Sequence, residues 1–165
     1  MKKLAYALVV ALVLVTGCGK DEKKNNEKTT NNDIVFNGNL EDYATKLYEG
    51  IAEENLPMML GNLELTEEDI EYYIGTKDIK WEKAIASESM VGAIAHSVVI
   101  IRMSEDATDK DYEDAISKIK ENANPRKWVC VEAENVYVER NGNLIVLIMS
   151  NDLADTIKTN FKGLK

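Results

Sequence analysis

Beyond residue 33 the apolar positions of the chain recur at helical spacing in four stretches. A period near 3.6 residues predicts four amphipathic helices, and each stretch has a residue typical of helix ends. The predicted starts are Asn39, Thr66 with Asp69, Thr108 with Asp111, and Ser150 or Asn151; the predicted stops are Pro57, Gly75 and Asn124-Pro125. The four apolar stripes are Leu40, Tyr43, Ala44, Leu47 and Ile51; Ile70, Tyr73 and Ile74; Tyr112, Ala115, Ile116 and Ile119; and Leu153, Ile157, Phe161 and Leu164.

Between these helices the pattern changes to strand-like runs. Residues Trp81–Ser89 and 93–103 predict two strands that turn through Met90-Val91-Gly92. Residues 136–140 and 143–149 predict a second hairpin, because Asn141-Gly142 between apolar runs suits the positive φ of a type I′ turn. Residues 128–131 fit either a short strand or a packed loop. The order predicts an α+β fold: a four-stranded, mostly antiparallel sheet of two hairpin–helix units, packed with helices and preceded by N-terminal helices.

Two of the predicted strands are apolar on both of their faces. The run Val98-Val99-Ile100-Ile101 and residues 144–149 contain no polar side chain. Leaving one face in water would forgo about 25 cal/mol for each Å² of apolar surface. We therefore expect the first helix to cover the second face of the sheet or to cross its edge. The alternatives are that this face binds a partner or forms a homodimer contact.

The first residues predict a lipoprotein signal peptide over residues 1–17. Lys2 and Lys3 precede an apolar run over residues 4–15, which is shorter than the roughly 20 residues of a membrane span. The following Val15-Thr16-Gly17-Cys18 resembles the bacterial lipobox, in which small residues precede a cysteine that receives a diacylglycerol thioether. Cys18 is therefore the expected lipid attachment residue, and an ordinary secretory signal with a chance cysteine is the alternative.

Residues 18–33 predict a lipidated cysteine followed by a polar tether, and residues 34–165 predict one globular α+β domain. The stretch 20–33 has no apolar side chain, and its lysines and acids balance. Without Lys2 and Lys3 the formal charge of −9 becomes −11, and all of it falls on the domain. Such a surface repels phosphate backbones, which argues against a nucleic-acid partner. Solubility alone explains the charge equally well.

Two residues could suggest catalysis, and both are expected to be structural. His96 is the only histidine and lies in an apolar strand, so it lacks the neighbouring acid that a general base needs. Cys130 is the only thiol left once Cys18 is lipidated. Val129 and Val131 flank Cys130, which predicts a buried and inert thiol rather than a nucleophile activated by His96.

An acidic run invites a calcium site, but its spacing does not match one. An EF-hand needs Gly at its sixth position and Glu at its twelfth, and counting from Asp109 these hold Asp114 and Lys120. Acids in a first helical turn suit the helix dipole without an ion, and weak calcium binding stays the alternative. The sequence therefore predicts no catalytic residue, no metal ligand and no cofactor. The run is Glu105, Asp106, Asp109, Asp111, Glu113 and Asp114.

The chain resembles uncharacterised lipoproteins of clostridial Gram-positive bacteria whose C-terminal domain has no known function. The resemblance is carried by the lipobox with its tether, by Leu65-Thr66-Glu67-Glu68-Asp69 with Tyr72-Tyr73 and Gly75, and by the closing run. That run is Gly142-Asn143-Leu144-Ile145-Val146-Leu147-Ile148 leading into Ser150-Asn151-Asp152. Together these segments cover nearly all of the mature chain. The resemblance implies a location and a fold and no particular activity.

These observations favour a non-catalytic module that binds a protein or an envelope component. The expected location is the extracytoplasmic face of the cell membrane, with the lipid on Cys18 as the membrane contact. One alternative is an extracytoplasmic hydrolase whose site combines scattered acids with His96. Another is a small-ligand receptor that feeds a transporter, although a single domain lacks the two lobes that such receptors close.

Replacing Cys18 by Ala should remove the lipid anchor. We expect the Cys18→Ala protein to appear in the soluble extracellular fraction or as an uncleaved precursor. Cell fractionation and the mass of the N-terminus measure both outcomes. A processed Cys18→Ala protein that remains in the membrane fraction would contradict lipidation at this residue.

Overall fold

A computed structural model describes residues 34–165 of the chain. The expected signal peptide, Cys18 and the tether lie outside the described residues. Within the described part, no helix is long and apolar enough to cross a membrane. The elements in chain order are α1 (Leu40–Lys46), β1 (Leu60–Glu64), α2 (Ile70–Ile74), β2 (Trp81–Ser89), β3 (His96–Met103), α3 (Asp109–Asn122), β4 (Asn135–Asn141), β5 (Leu144–Ser150) and α4 (Ala154–Gly163).

The fold is α+β, and its sheet has five antiparallel strands in the order β1-β2-β3-β5-β4. The two expected hairpins are β2–β3 and β4–β5, joined through the pairing of β3 with β5. The expected count of four strands is wrong because it omits β1. Only Leu60 and Leu63 of β1 are apolar, and its residues are half-buried or exposed. Because Leu60 and Leu63 are three positions apart, they lie on opposite faces of the strand, and β1 shows no alternation of apolar and polar residues.

Both faces of the sheet are covered by helices. Alternate residues of β3 and β5 point to opposite faces, and each face has its own apolar core. On one face, which we call the α1/α4 face, the strands pack against α1 and α4. On the other, the α2/α3 face, they pack against α2 and α3. The large side chains of the α1/α4 core are Phe36, Leu40, Leu47, Ile100, Ile148, Ile157 and Phe161; those of the α2/α3 core are Ile70, Ile74, Ile101, Tyr112, Ile119, Trp128, Ile145 and Leu147.

The expected cover by the first helix is confirmed, since Leu40, Ala44 and Leu47 are buried in the α1/α4 core. The segment ahead of α1 also joins this core through Phe36. The backbone of this segment is bonded to the β4–β5 turn. Asn143 Oδ1 accepts from the N–H of Phe36, and the backbone N–H of Asn143 donates to the carbonyl of Ile34.

Side-chain caps mark the starts of α1 and α3, whereas α2 begins at Ile70 and α4 at Ala154 without one. Asn39 Oδ1 accepts from the N–H of Glu41, and Thr108 and Asp111 form the expected reciprocal capping box at α3. The expected start of α4 at Ser150 or Asn151 is wrong, because Ser150 completes β5 and α4 begins at Ala154. Asn151 does not cap the helix. Its side-chain oxygen accepts instead from the backbone N–H of Glu134, the residue before β4.

The β4–β5 turn lies one residue later than expected. Asn141 pairs with Leu144, so the two loop residues are Gly142 and Asn143. Gly142 has φ +58, whereas Asn141 and Asn143 have no positive φ. The expected type I′ turn over Asn141-Gly142 is therefore wrong, since that turn needs positive φ twice. Glycine at the first central position matches type II′. Asn141 stays in the strand because its buried amide donates to the carbonyl of Phe161.

Replacing Gly142 by Ala should destabilise the domain. Alanine is disfavoured at φ +58, and its Cβ would overlap the carbonyl oxygen of Ile34. The backbone conformation alone costs about 1–3 kcal/mol. We expect the melting temperature to fall by at least about 5 °C. Gly92→Ala is the matched control, because Gly92 has no positive φ and a Cβ there meets nothing within 4 Å. Equal melting temperatures for the two variants would show that the turn and the Ile34 contact carry no stability.

Candidate functional site

A groove lies beside β1 on the α2/α3 face and exposes large apolar side chains. Leu63 is 48% exposed, Tyr72 61%, Met90 76% and Val129 89%. The cavity between them measures about 410 Å³. We call it the edge groove, bounded by these four side chains and floored by Lys127. Clustered apolar side chains at a surface are typical of a binding site, whereas single ones are ordinary.

Lys127 forms the floor of the edge groove, and its side chain is only 2% exposed. Both carboxylate oxygens of Glu88 lie 3.0 Å from its Nζ, and Ser97 Oγ lies at 3.1 Å. Burial lowers the pKa of Lys127, and the Glu88 carboxylate opposes that shift. The charge of Lys127 is therefore neutralised by Glu88 inside the domain. The surface that the groove presents to a partner consists mainly of aromatic rings and aliphatic side chains.

Aromatic rings enclose the same ammonium group. The Lys127 Nζ lies 4.5 Å from the ring centre of Tyr73, 5.1 Å from that of Tyr72 and 5.3 Å from that of Trp128. These cation–π contacts join α2 to the loop after α3. The groove is therefore built on a fixed floor, although two of its four bounding side chains, Met90 and Val129, come from loops.

The outer edge of β1 leaves backbone groups unpaired within the sheet. In an antiparallel pair, residues that bond to the neighbour alternate with residues that do not. Leu65 N donates to the Ala84 carbonyl and Met90 N to the Met59 carbonyl, so the odd-numbered residues of β1 bond to β2. The N–H and C=O groups of Leu60, Asn62 and Glu64 consequently point away from the sheet, next to the edge groove.

His96 lies in a buried polar network on the α1/α4 face, at the start of β3. Its Nδ1 lies 3.0 Å from Ser150 Oγ and its Nε2 lies 2.8 Å from Tyr48 Oη, which donates to Ser87 Oγ at 3.1 Å. Because Tyr48 donates to Ser87, it accepts from Nε2–H, and Nδ1 then accepts from the Ser150 hydroxyl. Burial lowers the pKa of His96 to about 4 and raises that of Tyr48.

The contact between Ser150 and His96 resembles half of a hydrolase triad, but its surroundings oppose that chemistry. His96 and Ser150 are 1% and 2% exposed, so very little of the imidazole or the hydroxyl is open to a substrate. A base with a pKa of about 4 is too weak to activate serine at neutral pH. Among the described residues, no carboxylate bonds to the imidazole. This geometry opposes a catalytic role for His96, and its structural role stays a prediction.

The expectation that Cys130 is buried is wrong, because this thiol is exposed. The loop after α3 turns Trp128 into the α2/α3 core, and the next two side chains then face water. Residues 128–131 form a loop and no strand. The two ring nitrogens of His96 bond to Tyr48 and Ser150, so Cys130 is not activated by that histidine.

Two carboxylates of the acidic run bond to nearby protein groups. Asp111 accepts from the backbone and hydroxyl of Thr108, which holds its pKa at about 2 with help from Lys80. Asp109 pairs with Arg140 at 2.8 Å. In residues 34–165, no group of three or more His, Cys, Asp or Glu side chains has the arrangement of a metal site.

The sequence pattern did not reveal the edge groove. Trp128 lies more than fifty positions along the chain from the adjacent Tyr72 and Tyr73, and in the sequence Lys127 looks like an ordinary surface lysine. The one available signal was Tyr72, which adjoins a helical stripe without belonging to it.

The stability of the domain should fall in mild acid because of His96. The unfolded chain protonates this residue below about pH 6.5, but the folded protein does so only near pH 4. The free energy of unfolding should therefore decrease between these values by up to about 1.4 kcal/mol per pH unit. Urea unfolding at several pH values measures the slope. His96→Gln should flatten it between pH 6.5 and 4.5, since the chain has no other histidine. An unchanged slope would contradict a neutral buried His96.

Comparison with known proteins identified no relative. The chain matches no family model, and searches of the curated proteins and of the solved structures found no match. The resemblance to the clostridial lipoproteins stays a prediction, and the argument for function depends on the geometry of the domain.

Proposed function

We propose that the chain is an extracytoplasmic lipoprotein, anchored to the cell membrane by Cys18, whose domain is a non-catalytic binding module. Its partner is a protein of the cell envelope, which adds an extended segment to the outer edge of β1. The observation that carries the proposal is the edge groove, which runs beside unpaired backbone groups of an edge strand.

Strand addition uses both features of this edge. Backbone groups of Leu60, Asn62 and Glu64 would bond to the incoming segment and supply affinity without regard to its sequence. Alternate side chains of that segment would enter the edge groove, where Tyr72 and Met90 offer apolar contact. Those contacts would supply specificity, because only apolar side chains bury well there.

Charge indicates the chemistry of the segment. The folded domain has a formal charge of −11, and several acids lie close in sequence to the groove residues. They are Glu64 in β1, Glu67 and Glu68 ahead of α2, and Glu71 beside Tyr72. A segment that alternates apolar and basic residues fits both the groove and its acidic surroundings.

The membrane anchor and the groove support one role. The tether of residues 18–33 would hold the domain roughly 20 Å from the lipid on average, given a flexible-coil reach of about 5–6 Å × √n. At that distance β1 could meet a segment of another envelope protein. Lipidation would also concentrate the domain at the membrane, so that modest affinity is enough.

A photo-crosslinking amino acid at Val129 should capture the partner in intact cells. The matched control is the same amino acid at Val136, an exposed apolar position on β4, the opposite edge strand. The proposal expects an adduct of defined mass from position 129 and none from position 136. Equal adducts from the two positions, or none from position 129, would contradict it.

Asn62→Pro tests whether the captured partner adds a strand. Proline removes the outward N–H of residue 62 while leaving the ladder to β2 intact, and edge strands tolerate this. We expect the adduct to fall about tenfold, since a lost bond and a displaced backbone both weaken pairing. Asn62→Ala is the control and should keep the adduct. Melting temperatures confirm that both variants fold, and an undiminished adduct in a folded Asn62→Pro protein would exclude strand addition.

A further inference from the structure

Arg102 is a buried cation that lacks an acidic partner. It lies near the end of β3 on the α1/α4 face and is 8% exposed. Its Nη2 donates to the carbonyl of Gly38, and its Nε is buried without any hydrogen-bond partner. No carboxylate of residues 34–165 lies within ion-pair distance of its guanidinium.

Other shielded cations of the domain are paired. Lys127 contacts Glu88, and Arg140, whose side chain is 15% exposed, contacts Asp109. A buried charge without a counter-ion is costly, and an anionic ligand would lower that cost by supplying the opposite charge. Apart from the buried Nε and the Nη2 bond to Gly38, the guanidinium has further N–H groups that can donate to a carboxylate. Arg102 therefore has the environment of an anion-binding residue.

A cavity of about 390 Å³ opens beside Arg102. It lies on the α1/α4 face of β1, so the edge groove and this cavity flank the same strand on opposite faces. This volume suits a small organic molecule. The charged residues of its lining are Glu41, Glu64, Lys83 and Arg102, and its amides are Asn37, Asn39 and Asn62.

The lining charges restrict the ligand. Lys83 and Arg102 offer two positive groups, and Glu41 and Glu64 offer two negative ones. A phosphate dianion would meet both carboxylates and a strongly acidic domain. A molecule with one carboxylate and one ammonium group matches both pairs, because each of its charges then finds an opposite one.

We propose that this cavity binds a small amino-carboxylate, such as a free amino acid. Arg102 holds the ligand carboxylate, with Lys83 beside it, and Glu41 and Glu64 receive the ammonium group. The proposal is independent of strand addition at the edge groove, since it rests on the unpaired guanidinium and on another cavity.

Calorimetric titration of the purified full-length protein with L-alanine, acetate and inorganic phosphate tests the proposal. We expect L-alanine to bind at least ten times more tightly than acetate, and phosphate to bind more weakly than either. Arg102→Met should weaken L-alanine at least tenfold. Arg126→Gln is the control, because Arg126 is exposed and paired with Glu132, and it should leave binding unchanged.

Glu64→Gln provides a second test at an exposed position, and it remains informative if Arg102→Met fails to fold. Removing this negative charge should weaken L-alanine about fivefold and leave acetate equal or tighter. The proposal is overturned if L-alanine does not bind, or if phosphate binds more tightly than L-alanine. It is also overturned if a folded Arg102→Met protein or the Glu64→Gln protein binds L-alanine as the unchanged protein does.

Discussion

The structure depends on a sheet whose two central strands are apolar on both faces. β3 and β5 contribute buried side chains to two separate cores, and neither face can be left to water. Two helices must therefore cover each side, and the chain supplies them from different regions. The α2/α3 face is covered by helices that lie between the strands in sequence. The α1/α4 face is covered by the first and last helices, which makes both ends of the described chain part of the core.

On the α1/α4 face, the middle of β3 contributes apolar side chains to the core, and its polar side chains lie near its two ends. His96 and Arg102 face the same α1/α4 core from opposite ends of that strand, and both are buried. Both ring nitrogens of His96 have hydrogen-bond partners in the domain, Tyr48 and Ser150, so this end of β3 has no unpaired polar group of that side chain. The guanidinium of Arg102 has only the Gly38 carbonyl. Lys127 and Arg140 have carboxylate partners and Arg102 has none, and this difference is the basis for placing a ligand at that end of the strand.

The edge strand β1 has the opposite character. It adds little to either core, and its outward backbone groups and the nearby apolar side chains remain accessible. Covering such an edge is the usual protection against unwanted pairing, yet here only short acidic segments lie close in sequence. The internal pairing of Lys127 with Glu88 keeps the groove floor fixed without closing the groove. Binding by β1 would thus require no rearrangement of the core.

Sequence periodicity determined most of the secondary structure. Features that depend on neighbours along the chain could be predicted from the sequence. They include the strand Trp81–Ser89, the capping box of Thr108 with Asp111 and the apolar run of β5. The need to cover a two-faced sheet was legible as well, since it follows from composition alone. Local chemistry also indicated a hairpin at Gly142, although it placed the turn one residue early.

Tertiary structure alone decided the rest. Edge position, which no local pattern encodes, made a strand of residues 60–64. The fold of the loop after α3 buried Trp128 and exposed Cys130, against the expectation from its valine neighbours. The fold surrounded Lys127 with aromatic rings and left Arg102 without a carboxylate partner. The burial and the partners of a charged side chain depend on residues that are far away in the sequence. Both candidate sites arise from such distant contacts, and for that physical reason neither could be found in the sequence.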